Sequence, residues 1–410
     1  MADQTTGKVP RVRFKAYAEP WADEKIGDVL AEKRRPIVLE DDRRYELITV
    51  KRRNEGVVSR GHLLGRDILV KNYAQLKAGD FVISKRQVVH GATGIVPPAL
   101  DGAIVSNEYL TAVDGERLLT EFLTIVASLP AMRRKFFLSS YGVDIEKLFF
   151  DAIDWMKRDV TLPGVQEQSR IAQFFQRVDQ LIALHQRQHE KLLTLKRSLL
   201  QRMFPQPGTL IPEIRFKGFS EVWKERSLGE MASFFKGKGL SKSEIDPSAQ
   251  EPCIHYGQLF TEYSEVISVV VSRAKGGDNL FRSIANDVLM PTSDVTPRGL
   301  AKASAINESG IIIGGDIMVI RADKKLLLGP FLSRFIRHME GRILQMVSGS
   351  TVFHLYSSSM EKFRITYPSI PEQLKICSHF LALDELILKH AAQLKKLQEI
   401  KFACLNKMFV

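Results

Sequence analysis

The sequence predicts an α/β (α+β) chain: two strand-rich bodies, each followed by a long helix, with the two helices paired as an antiparallel coiled coil. Three observations carry that expectation. A helix-opening phrase occurs twice, as "LPGVQEQSRIAQFFQRVDQLI" from Leu162 and "YPSIPEQLKICSHFLALDELI" from Tyr367. After each phrase the apolar residues recur in alternating steps of four and three. Before each phrase lies a long strand-like segment, and the two segments differ far more than the helices do.

The repeat comes first because it sets the organisation. Shifted by 205 residues, 163–204 falls on 368–409 with 16 identities in 42 positions. These include Glu167/Glu372, Gln168/Gln373, Ile171/Ile376, Phe175/Phe380, Asp179/Asp384, Ile182/Ile387, Leu192/Leu397, Lys196/Lys401, Met203/Met408 and Phe204/Phe409. A shift of 202 sets "PRVRFKAYAEPW" (10–21) on "PEIRFKGFSEVW" (212–223) and Gly27 on Gly229. The chain therefore reads as a tandem duplication with expected divisions at 1–161, 162–206, 207–366 and 367–410. A shared frame around divergent bodies implies two modules of one architecture that read different things.

Each helix shows a heptad seam. The first seam runs through Ile171, Phe175, Val178, Ile182, His185, His189, Leu192, Lys196, Leu199 and Met203. The second runs through Ile376, Phe380, Leu383, Ile387, His390, Leu394, Leu397, Lys401, Cys404 and Met408. Ser369 followed by Glu372 reads as a capping box, with Pro371 tolerated in the first turn. His185 and His390 read as polar seam residues in preference to a metal or proton site. Lys196 and Lys401 read as snorkelling side chains, or as places where the seam loosens. At 1.5 Å per residue such a helix runs about 55 Å, or roughly 16 base pairs of B-DNA. A rod of that length suits a ruler.

Composition limits the function classes. The chain has 410 residues, a formal net charge of +12 and only three cysteines, Cys253, Cys377 and Cys404, without a zinc spacing. The positive balance favours a polyanionic partner, with nucleic acid ahead of a membrane surface. The cysteine usage and the lack of an apolar leader or membrane-length run make a cytoplasmic location the expectation.

Catalytic signatures are missing. The sequence holds no GxxxxGK[ST] phosphate loop, no HExxH, no GxSxG and no H-x-E with CxxC. The Asn/Asp-Pro-Pro-aromatic tetrapeptide of an amino-methyltransferase is also missing. "FKGKGLSKS" from Phe235 has glycines and lysines at the wrong spacing for a phosphate loop, and reads as a basic turn. A stand-alone enzyme is therefore the weaker reading, and no catalytic residue or metal ligand stands out.

Basic and polar loops bracketed by strands are the candidate DNA readers, because arginine can bond guanine bidentately while lysine more often meets phosphate. In the first body these are Lys51, Arg52, Arg53, Lys85, Arg86, Gln87, Arg133, Arg134 and Tyr141. In the second they are Lys236, Lys238, Lys242, Arg273, Lys275, Ser293, Thr296, Arg298, Lys302, Ser350, Thr351 and His354.

The duplicated P-x-x-x-EQ-x-x-I-x-x-x-F-x-x-x-D-x-x-I helices, each ending in Arg/Lys-Met-Phe, resemble the repeated regions of type I restriction–modification specificity subunits. "SEVWKERSLGE" from Ser220 and "CIHYGQLFTEY" from Cys253 are similar to openings of that family's target-recognition domains. "GSTVFHLYSSSMEKFRITYPSIPEQ" from Gly349 is similar to the exit into the second helix. The resemblance covers nearly the whole chain and is looser over the first body. It implies two target-recognition domains, each reading one half of a split, asymmetric site on double-stranded DNA. It also implies helix pairing and partner docking through Glu167, Gln168, Ile171, Phe175, Asp179, Ile182, Leu192 and Met203, and through Glu372, Gln373, Ile376, Phe380, Asp384, Ile387, Leu397 and Met408. The implied partners are two methyltransferase subunits and restriction/translocase subunits, which would carry S-adenosylmethionine, ATP and Mg. A bipartite DNA-binding regulator without a methyltransferase, and a helical scaffold that ignores DNA, remain the alternatives.

Overall fold

The computed structural model describes residues 8–70, 72–240, 242–277 and 279–410, without the side chain of Lys242. It divides into two compact units, Met1–His185 with Gln393–Val410, and Gln186–Ala392. The expected α/β character holds in both. Two long helices are present, Val165–Met203 and Ile370–Lys407, and each contributes residues to both units.

In the first unit, strand Ala22–Lys25 pairs antiparallel with Asp159–Leu162, just ahead of the first long helix. A five-stranded sheet runs in the order Pro36–Ile37, Tyr73–Gln75, Ile104–Ser106, Arg44–Val50, Val57–Leu64. A four-stranded sheet runs in the order Ala31–Glu32, Tyr109–Val113, Phe81–Ser84, Thr93–Ile95. Helices Thr120–Ser128 and Pro130–Leu138 bury Phe122, Leu123, Met132 and Phe136 with Phe81 and Ile83 of the latter sheet.

In the second unit, strand Lys224–Ser227 pairs with Arg364–Tyr367, just ahead of the second long helix. The sequence repeat is visible in this register. Ala22 opposes Leu162, and Lys224, 202 residues on from Ala22, opposes Tyr367, 205 on from Leu162. A five-stranded sheet, Ala232–Lys236, Ile317–Ala322, Asp287–Pro291, Ser304–Ile306, Val266–Ile267, packs against helix Gly329–His338 through Phe331, Phe335 and Ile336. A three-stranded sheet of Ser272–Ala274, Glu251–Ile254 and Ile312–Ile313 completes the body.

Within each unit the start of one long helix meets the end of the other. In the first, the Phe175 and Phe409 rings lie 6.1 Å apart and Lys401 Nζ is 2.5 Å from Asp179, so the two segments run in opposite directions. In the second, the Phe204 and Phe380 rings lie 6.4 Å apart and Lys196 Nζ is 2.7 Å from Asp384. Every residue expected on either seam is buried or half-buried, including His185 and His390. The closing Met-Phe of each repeat plugs the aromatic core of the other. Phe409 stands edge-on to Trp21 and Phe204 edge-on to Trp223.

Two local expectations need correction. Glu372 does not close a capping box; both its oxygens are taken by Arg215, while the Ser369 carbonyl accepts from the N–H groups of Glu372 and Gln373. Lys196 and Lys401 neither snorkel nor loosen the seam, because each crosses to an aspartate on the opposite helix. No helix among the described residues is long and apolar enough to cross a membrane.

Candidate nucleic-acid interface

The first body gathers several of its candidate residues into one network. The turn after strand Arg44–Val50 carries Lys51, Arg52, Arg53 and Asn54. Arg52 donates from Nε to Gln87 Oε1 at 2.8 Å and from Nη2 to Glu146 at 2.7 Å. Arg133 donates to Asn54 Oδ1 at 2.9 Å, and Asn54 Nδ2 reaches Thr93 Oγ1 at 2.9 Å. Three chain segments, near 52, 87 and 133, therefore meet around one exposed, arginine-rich turn. Lys51 and Arg53 stand exposed at the same place.

A second group lies along the neighbouring loop. Lys85 Nζ donates to Asn107 O at 3.0 Å, and Arg86 pairs with Glu108 while covering the Phe149 ring at 5.5 Å. Tyr141 packs on the other contact of Phe149, with ring centroids 5.9 Å apart. Arg134 is not brought to either group. It lines a separate recess with Lys135, Leu138, Lys157 and Arg158.

In the second body the candidates form two recesses joined by a short strand pair. Lys236, Ser293 and His354 line one, with Phe235, Asp316 and Tyr356. Thr296, Arg298 and Lys302 line the other, with Phe260, Glu265, Asp294, Arg337 and Glu340. Ser293 pairs with His354 and Asp294 with Phe353, so the two recesses share a wall. Lys302 donates to Phe260 O at 2.8 Å and lies 5.8 Å over that ring; Arg298 reaches Glu340 at 3.3 Å. Arg273 is engaged with Gln250 O at 2.7 Å on a different sheet, and Lys238 and Lys275 are exposed without joining either recess. Ser350 and Thr351 are exposed in the loop ahead of His354. The Lys242 side chain lies outside the described residues.

Sequence reasoning missed Asn54, Glu146, Phe260, Asp294 and Glu265. The signal for two of them, Asp294 and Phe260, is Gly299. A Cβ there would stand 1.7 Å from Asp294 Oδ2 and 2.9 Å from Phe260, so the glycine is what admits the carboxylate and the ring. The others depend on long-range contacts that no local spacing encodes.

The repeated helix openings do something more definite than expected. Arg13 donates from Nε and Nη2 to the two oxygens of Glu167, both at 2.7 Å, and Arg215 does the same to Glu372 at 2.8 and 2.7 Å. Gln168 accepts from Leu119 N at 3.0 Å and donates to the carbonyls of Arg117 and Pro163. Gln373 accepts from Leu328 N at 2.9 Å and donates to Leu326 and Pro368. The glutamates are 2% exposed and the glutamines 0%. These four side chains latch each helix to its own body, and that corrects their reading as a docking surface. Ile171, Phe175, Ile376, Phe380 and Met408 are likewise buried in unit cores, as is Met203. Asp179, Ile182, Leu192, Ile387 and Leu397 are less enclosed.

The second unit also encloses a charged cluster. Lys196 bonds Glu265 at 2.9 Å and Asp384 at 2.7 Å, and Asp384 accepts from Arg334 at 3.0 Å. Burial works to raise the Glu265 carboxyl, but Lys196, by charge and hydrogen bond, and Arg337 outweigh it and hold the group below its ordinary range. Burial pushes the Arg337 guanidinium down. Among the described residues no group of three or more His, Cys, Asp or Glu side chains is placed to hold a metal ion.

The family described as "Type I restriction modification DNA specificity domain" matches residues 18–194 and 220–399. No curated protein matches the chain at a significant level. A solved S subunit of a type I restriction–modification system from M. genitalium is similar over 98% of this chain and 99% of its own, with 14% identity and a TM-score of 0.60, a likeness of fold. The HsdS subunit from Thermoanaerobacter tengcongensis matches over 96% of this chain and 98% of its own, at 18% identity and a TM-score of 0.46. A structure solved in a study of complex assembly and conformational transition of the type I R-M system matches over 96% and 99%, at 18% identity and a TM-score of 0.48.

Proposed function

This chain belongs to the type I restriction–modification DNA specificity family, and we propose that it is the subunit that reads a split, asymmetric DNA site for a methyltransferase and restriction complex. Each body reads one half-site. The helix pair sets the unread spacer and receives two methyltransferase subunits, with restriction/translocase subunits added to that assembly. The chain supplies recognition and no bond-making step. S-adenosylmethionine, ATP and Mg belong to its partners.

The observation that supports this most is the contrast between frame and loops. The same Arg–Glu and Gln latches fix both helices, yet the loops held by the two frames differ in their residues and contacts. Arg52, Gln87 and Arg133 meet around one turn in the first body, whereas Lys236, Ser293 and His354 line one recess of the second and Thr296, Arg298 and Lys302 another. Identical supports with different reading surfaces are what an asymmetric bipartite site requires.

The test is an exchange of residues 220–367 for the second body of another family member, followed by mapping of the methylated motif. One altered half-site with the other retained is expected. A change in both halves would contradict modular reading.

A further inference from the structure

The turn between strands Arg44–Val50 and Val57–Leu64 holds two consecutive non-glycine residues in the left-handed region, Arg53 at φ 60 and Asn54 at φ 58. Asparagine tolerates that region; arginine gains nothing there. The turn is held by Asn54. Its N–H donates to Gly91 O at 2.8 Å, its Nδ2 to Thr93 Oγ1 at 2.9 Å, and its Oδ1 accepts from Arg133 Nη2 at 2.9 Å. Gly91, itself at φ 76, makes the approach possible, since a Cβ there would stand 2.9 Å from Asn54 Oδ1.

All this fixes the Arg53 backbone and leaves its side chain untouched. Arg53 is exposed, and its guanidinium has no hydrogen bond or ion pair among the described residues. Its neighbours differ. Arg52 is committed to Gln87 and Glu146, and Arg133 to Asn54. One arginine of three is left free on a braced, strained base. Strain of this kind persists only where the surroundings over-determine it, and it concentrates at functional sites.

The geometry points to Arg53 as a guanine-reading residue of the first body, an assignment that rests on the DNA-reading function proposed above. A phosphate contact needs only charge, and a flexible lysine on any backbone serves it; Lys51 stands exposed beside the turn for that use. The planar guanidinium donates to guanine O6 and N7 together in one rigid geometry, and gains most from delivery at a fixed position. A braced backbone under an uncommitted guanidinium supplies that.

The test uses the full chain in its own cell, as wild type, Arg53→Asn and Arg53→Lys, with modified-base mapping of the genome. Purified chains are then titrated by fluorescence anisotropy onto duplexes carrying each single base-pair change in the first half-site. Asparagine keeps a backbone that tolerates the left-handed region, and lysine keeps the charge without the fork. The Asn variant is expected to lose about ten- to a hundredfold of its preference for G·C at one position, with every other position and the second half-site unchanged. The Lys variant is expected to lose most of the same preference, and it carries the test if the Asn variant fails to melt cooperatively. Unchanged guanine preference in both variants overturns the assignment. So does a uniform fall on all duplexes with a shallower salt dependence, which marks a phosphate contact. A wild-type chain that directs no split motif removes the proposed function itself, whereas a wild-type motif that survives both substitutions removes only the role of Arg53.

Discussion

Arg13 closes on Glu167 with two parallel hydrogen bonds of 2.7 Å, although the two residues lie 154 positions apart in the chain. The bond fastens the first turn of a long helix to the segment that opens the same repeat. Arg215 and Glu372 form the second copy. Forked pairing of this kind is both strong and geometrically exacting, and the carboxylate raises the guanidinium of each arginine above its ordinary value. The duplicated Glu-Gln phrase is therefore first a structural latch.

Glu372→Ala is expected to destabilise the protein by about 3 kcal/mol, because it leaves Arg215 enclosed without its partner. Arg215→Ala should cost a similar amount, and the double variant clearly less than the sum. Urea denaturation of the four proteins checks this; additive losses would show that the pair is not coupled.

Lys196 and Lys401 occupy equivalent places but should differ in weight. The Lys196 and Asp384 side chains are 16% and 19% exposed, against 35% and 51% for Lys401 and Asp179. Lys401→Met is expected to change stability by less than ~1 kcal/mol. Lys196→Met is expected to cost about 3 kcal/mol, since it strips Glu265 and Asp384 of a shared cation. Equal losses would contradict the burial argument.

The pH dependence of that difference has a definite sign. In the wild type the Glu265 carboxyl lies below its ordinary value of 4.5, so its contribution is present above that value and fades as pH falls through the folded-state value. Without Lys196, burial acts against less opposition and the carboxyl moves up. The stability gap between wild type and Lys196→Met should therefore narrow as the solution is acidified below about pH 5. A gap independent of pH, measured by urea denaturation, would refute the assignment of the effect to Glu265.

Burial pushes the Cys377 thiol up to about 11. Iodoacetamide at pH 8 should alkylate it far more slowly in the native protein than in urea, since the thiolate is the reacting species. Native-state labelling as fast as in urea would contradict its enclosure.

The closing aromatic residues should rank by burial. Phe204 is 1% exposed against Trp223, Phe331 and Phe380, whereas Phe409 is half-buried. Phe204→Ala is expected to cost about 3–5 kcal/mol and Phe409→Ala less. Calorimetric unfolding that ranks them the other way would contradict the packing.

The frame was legible because it is periodic and duplicated. Heptad spacing from Ile171 and Ile376 named the buried and half-buried face of each helix, and the two repeat shifts bracketed each body without naming the strand pair that opens and closes it. The latches were not legible as such. Glu167 and Glu372 lay in the first match and Arg13 and Arg215 in the second, but nothing local says that they bond. The candidate DNA-reading loops were legible only as composition. Arg134 and Arg53 look alike in the chain, yet one lines a separate recess and the other sits on a strained turn. Asn54, the residue that holds that turn, carries no charge to draw attention. The loop arrangement depends on contacts between segments 35 to 94 residues apart, such as Arg52 with Gln87 and Glu146, and spacing rules do not reach that far.

The central claim is that this chain directs methylation to one split site, and a modified-base map of the source genome with the gene intact and deleted tests it most directly. Loss of methylation at a single asymmetric, two-part motif on deletion is the predicted result. An intact methylation pattern after deletion would contradict it.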